Sequence, residues 1–168
     1  NGAGNTITVL GGTATTKLLW PEDSIPQIFT ICSVSRYTFD SALQDRILTC
    51  YGSPEQSSNW LHGHNNGGRG IAYYSNWRTQ SSRTVGGTTT DWLVMCGTSA
   101  GVAPGNVIID QLEVGTSVGG NPAASRMHVN MLSSESSAFE LHSVYIWNAV
   151  LTTVQMKHVT SALRAQIG

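Results

Sequence analysis

Along most of the chain, apolar and polar residues alternate in short runs, the period of half-buried β-strands. Residues 28–37 combine β-branched and aromatic side chains with no breaker and predict a strand. Residues 46–51 are expected to return beside it after a turn at 40–45, and Gly52, Ser53 and Pro54 end that segment. Further strands are expected at 7–10, 71–77, 92–96 and 139–148, with a weak one at 127–132. The stretch from Asn106 to Gly115 reads as two short strands about a tight turn at Asp110 and Gln111. Only at the end does the period change. Thr152 and Gln155 have the spacing of a capping box, and Met156, Val159 and Leu163 then recur on one helical face.

Strands separated by turns, with one helix at the end, predict an all-β fold rather than alternating βαβ units. The expected architecture is a two-sheet antiparallel jelly-roll β-sandwich with a short C-terminal helix. No tandem repeat or linker divides the chain, so residues 1–168 are read as a single domain.

Composition narrows the function classes. Hydrophobic residues make up 40% of the chain but charged residues only 11%, against roughly 25% in ordinary globular proteins. Gly, Ser, Thr and Asn carry the polarity. Nine Lys and Arg against ten Asp and Glu give no field that would gather nucleic acid. No apolar run approaches the ~20 residues that span a bilayer, so membrane insertion is not expected. The chain starts at Asn1 with no signal-like segment and is read as processed or excised from something longer. Together these features predict a secreted or cell-surface protein. Of the three cysteines, Cys32 and Cys50 fall on the two strands expected to form a hairpin and could bridge, while Cys96 reads as a small buried hydrophobe. There is no Cys/His spacing for zinc.

Three pieces carry a family likeness in the right order: the core strand at 29–34, the 106–115 hairpin, and the 140–148 strand followed by Leu151, Thr152 and a helix. The ordered set resembles laminin G-like, concanavalin A-like jelly-roll domains. The resemblance implies two antiparallel sheets packed face to face. It also implies a range of functions in which carbohydrate binding and extracellular adhesion are common and some members are enzymes. Calcium, which is common in that fold, needs clustered oxygens. The candidate acids Asp23, Asp40, Asp45 and Asp91 are scattered, and no metal ligand set is assigned.

Hydrolysis finds little support in the residues. Laminarinase-type glucanases of similar fold carry two carboxylates and an assisting Asp on one strand. Here Asp110 and Glu113 fit two of those positions, but the nucleophile position is Ile108. Asp110 and Glu113 are therefore expected to be exposed hairpin residues. Ser99 lies in a Gly-x-Ser-x-Gly run, yet Pro104 and Gly105 lead into a strand and not the helix a nucleophile elbow requires.

The segment from Trp60 to Trp77 is the candidate ligand site. It places the aromatic faces of Trp60, Tyr74 and Trp77 beside His62, His64, Asn65, Asn66 and Arg69 on a Gly-rich bend. Sugars are recognised by that pairing of flat apolar area with a few placed polar groups. The leading expectation is a carbohydrate-binding or adhesion module that is not an enzyme, with a glycan or an extracellular protein as partner. A structural block of an extracellular filament or coat, and a diverged glycan-active enzyme, are the alternatives.

Overall fold

The alternation resolves into two antiparallel sheets packed face to face in a computed structural model that describes residues 2–38, 44–50, 59–131 and 134–168. The six-stranded sheet runs β1 (Leu10–Gly12), β11 (Phe139–Trp147), β3 (Thr30–Tyr37), β7 (Leu93–Thr98), β8 (Val107–Ile109) and β9 (Leu112–Glu113). The five-stranded sheet runs β2 (Leu18–Leu19), β10 (His128–Val129), β4 (Leu48–Thr49), β5 (Trp60–Asn65) and β6 (Gly68–Tyr74). The expected all-β sandwich with one terminal helix is the fold observed. No helix among the described residues is long and apolar enough to cross a membrane.

Two cores hold it together. Ile31, Leu93, Met95 and Phe139 on one sheet meet Leu48, Trp60, Ala72 and Tyr74 on the other. The alternate residues Cys32, Val34, Val94, Cys96 and Ile108 face outward, where helix α1 (Thr153–Ile167) covers them with Met156, Leu163 and Ile167. Strands β3, β7 and β8 are thus buried on both faces, which is why β7 and β8 read as nearly continuous apolar runs and why Ser33 and Ser35 of β3 are buried too.

Local signals place the helix and the hairpin where the sequence predicts them. The Gln155 amide donates to Thr152 Oγ1 at 3.2 Å, and the Thr152 amide donates to Gln155 Oε1 at 2.9 Å, completing the capping box. Asp110 and Gln111 both adopt positive φ, 44° and 76°, the geometry of a two-residue hairpin turn between β8 and β9.

Pairing between distant strands departs from expectation. After Tyr37 the chain crosses to the other sheet. Strand β4 therefore pairs with β5 and β10, and the neighbours of β3 are β11 and β7. Cys32 lies directly opposite Cys96, and those two form the disulfide, while Cys50 is a buried free thiol. The expected Cys32–Cys50 bridge is corrected accordingly, as is the reading of Cys96 as an unbonded hydrophobe. Residues 59–70 also form more than a bend. With Ile71–Tyr74 they build the β5–β6 hairpin, turned by Asn66 and Gly67 at φ 48° and 72°, with a bulge at Gly63 and His64. The expected stop at residues 52–54 and the acid Asp40 lie outside the described residues.

Candidate functional site

The β5–β6 hairpin sends most of its marked side chains inward. Trp60, His62 and Tyr74 have no exposed surface and stack between the sheets, with the Trp60 and Tyr74 rings 5.4 Å apart and 19° from parallel. His62 Nδ1 and the Tyr74 hydroxyl are 2.6 Å apart. That hydroxyl occupies the space a side chain on Gly97 would need. His64, also fully buried, packs edge-on to Tyr37 at 4.7 Å, its Nδ1 3.5 Å from Ser35 Oγ. Burial pulls both imidazoles down to a pKa of about 3, so they are neutral at physiological pH. Asn66 is exposed at the turn and Asn65 half-buried, while Trp77 packs edge-on to Tyr73 at 4.9 Å.

Arg69 does something different. It is 2% exposed, and its Nη1 donates to the carbonyls of Gly86 and Thr88 at 2.9 and 3.0 Å, its Nη2 to that of Trp92 at 3.0 Å. Its guanidinium lines a polar cavity of about 180 Å³ together with Gly86, Asp91, Trp92, Asp110 and Arg164. A groove of about 350 Å³ bordered by Asp110, Gln111, Thr160, Ser161, Arg164 and Ala165 adjoins it. Asp110 and Arg164 border both spaces, which together are called the cleft and lie against the β8–β9 turn, α1 and the 86–92 loop.

The cleft is assembled by specific contacts. Gln111 Nε2 donates to the Lys157 carbonyl at 2.7 Å and to Thr160 Oγ1 at 2.8 Å, fixing the turn to the helix. Lys157 Nζ lies 2.7 Å from Glu113 Oε1 and ties the same two elements again. Thr160 and Arg164, one helical turn apart, face the turn. Asp110 Oδ1 sits 3.7 Å from Arg164 Nε, a charge contact longer than a hydrogen bond. Burial raises the Asp110 carboxyl above its ordinary range, with Arg164 and Arg69 opposing the shift. Asp91 goes the other way. The Thr88 amide donates to its Oδ2 at 2.7 Å and the Thr88 hydroxyl to its Oδ1 at 3.1 Å, and the amide bond is the main cause of its lowered pKa.

Among the residues expected to bind ligand, Arg69 reaches this cleft, while Trp60, His62, His64 and Tyr74 are held in the sandwich interior. Asp110 was expected to be exposed and is instead half-buried at the cleft wall, because the turn docks against α1. Arg164 and Asp91 carry no motif. The one signal for Arg164 is its helical spacing from Thr160 and Lys157, which puts these residues near one edge of the helix. Ile108 is fully buried beneath α1, and Ser99 Oγ accepts the Phe29 amide at 2.9 Å in a loop with no helix following. Among the described residues no three His, Cys, Asp or Glu side chains come together as a metal site.

No protein-family model and no curated protein matches the chain. Solved structures match it in fold. Trypanosoma rangeli sialidase in complex with sialic acid superposes with a TM-score of 0.60 at 14% identity, over 100% of this chain and 30% of its own. Trypanosoma rangeli sialidase itself gives 0.60 at 13% identity, over 95% of this chain and 28% of its own. A mutant of that enzyme displaying trans-sialidase activity gives 0.58 at 14% identity, over 100% of this chain and 30% of its own. The chain therefore spans about 30% of the length of these neighbours, and at such identity the likeness establishes the fold. The expectation of a module that is not an enzyme is corrected by the same finding, since the solved structures named above are sialidases, which are enzymes, matched over part of their length.

Proposed function

We propose that this chain is the β-sandwich part of a glycan-active enzyme and that the cleft between Asp110, Arg164 and Arg69 holds saccharide. The observation that carries the reading is the cleft itself, a polar cavity and groove walled by charged and amide side chains on elements locked to one another. Hydroxyl-rich ligands are bound by such mixed donors and acceptors on rigid supports. The sandwich shared with sialidases over the whole chain supports a carbohydrate-related role. The Cys32–Cys96 disulfide is compatible with a secreted or cell-surface setting.

A glycan array followed by NMR titration tests this. Saturable binding is expected, with shifts at Asp110, Gln111 and Ser161, and substitution Gln111→Ala should weaken it by loosening the turn from α1. Shifts confined to the turn of the β5–β6 hairpin, at Asn65 and Asn66, would instead favour that surface. No response to any sialylated or neutral glycan would refute the reading.

A further inference from the structure

Charged side chains are missing from the stretches of chain that meet at one end of the six-stranded sheet. Strands β3 and β8 begin there, β7 and β11 finish there, and α1 starts beside them. Residues 24–35, 92–109, 114–125 and 141–156, which supply that end, include no Asp, Glu, Lys or Arg. Among them lies a chiefly apolar groove of about 260 Å³, walled by Val102, Val150, Leu151, Thr153 and Met156. Val102 is 76% exposed, and Val154, next to Thr153 of that wall, is 62% exposed. The walls are fixed to one another and to their surroundings. Thr153 Oγ1 donates to the Gly105 carbonyl at 3.1 Å, and Asn106 Nδ2 donates to the Ser117 carbonyl at 2.8 Å. Ile28 and Val118 stand exposed on the adjoining loops. Where Glu113 approaches Gly105 at the rim, Lys157 neutralises it at 2.7 Å.

Single exposed aliphatic side chains are ordinary, but a group of them around an apolar groove marks a docking surface. A two-fold interface sets a patch against itself, so each charge in it meets its own sign. This patch has no unpaired charge to meet, and it holds both halves of a fit, a projecting valine and a groove beside it. Its apolar centre within a rim of hydroxyls and amides, here Thr152, Thr153 and Asn148, is the make-up of protein interfaces. We infer that this surface docks a second copy of the chain about a two-fold axis, Val154 of each copy entering the groove of the other. The cleft lies further along α1, at Thr160 and Arg164, so both clefts stay open in the dimer. The dimer therefore stands or falls independently of what the cleft holds.

The test is sedimentation equilibrium of the chain across roughly 1 μM to 1 mM. A reversible monomer–dimer equilibrium is expected, and about 1 M salt should not weaken it, since no ion pair holds the copies together. Val154→Asp should weaken association roughly tenfold or more by setting a carboxylate against the apolar groove. The same substitution favours the helix itself, because an acid in the first turn lies at the positive end of the dipole. Lost association with an undiminished thermal midpoint therefore isolates the interface from the fold. Leu19→Asp, also exposed but on β2 of the other sheet, should leave the equilibrium unchanged. A chain monomeric at every concentration, a dimer that salt dissociates, or one that Val154→Asp leaves intact would overturn the inference. So would a dimer that Leu19→Asp breaks. Binding to phosphatidylcholine vesicles by a chain that stays monomeric would give the surface to lipid and overturn it as well.

Discussion

Acidification should unfold this protein through two buried histidines. His62 and His64 are fully enclosed, and burial lowers each pKa from 6.5 to about 3. An unfolded chain exposes both and protonates them near 6.5. The unfolded state therefore binds more protons throughout the window from 6.5 down to about 3. The stability tied to the neutral imidazoles is fully present above pH 6.5 and falls away as pH drops through that window. Each histidine should cost about 1.4 kcal/mol per pH unit there. At pH 5 the pair would have removed roughly 4 kcal/mol, a large share of the 5–15 kcal/mol typical of a domain. Asp110 opposes this weakly, because its raised pKa means the folded state takes up a proton more readily as pH falls. The assay is urea unfolding followed by tryptophan fluorescence at pH 7, 6 and 5, for the parent and for His64→Gln. The parent's unfolding free energy should drop by about 2–3 kcal/mol per unit below pH 6, and the variant's slope should be about half that. A parent curve flat to pH 5, or a variant with the parent's slope, would refute the reasoning.

Other perturbations probe separate parts of the fold. Gly97→Ala drives a methyl into the Tyr74 hydroxyl and should cost about 1–3 kcal/mol in urea unfolding; the penalty should shrink in a Tyr74→Phe background. Thr152→Ala removes the N-cap of α1 and should lower stability by about 1 kcal/mol, with Thr152→Asn restoring most of it. Peptide mapping should find Cys32 joined to Cys96, and Cys50 should react with iodoacetamide only after denaturation. The bridge joins residues 64 apart, so removing it with Cys32→Ala and Cys96→Ala should cost roughly 4 kcal/mol on the chain-entropy scale.

Features written by neighbours in sequence were legible in advance. The Asp110 and Gln111 turn, the capping box and the long β11 strand each depend on residues a few positions apart, and each is found where the pattern puts it. Strand pairing is not local. Nothing between Tyr37 and Leu48 announces that the chain changes sheets, so Cys50 looked like the partner of Cys32 when Cys96 was. Which side chains of the ligand segment face inward was illegible for a related reason. A Trp, a His and a Tyr at alternate positions look the same whether their face meets water or a second sheet, and here the second sheet lies over Trp60, His62 and Tyr74. The cleft was invisible because its walls come from Arg69, Asp110 and Arg164, residues from three distant elements.

The disulfide lies on the face that α1 covers, with the Cys96 sulfur 3.8 Å from the Met156 carbonyl and Leu163 and Ile167 in the same apolar cluster. A reducing agent can reach those sulfurs only when the helix lifts away. The rate at which the bridge is reduced under native conditions is then a clock for helix undocking, and the Gln111 and Lys157 ties that shape the cleft also set how fast that clock runs.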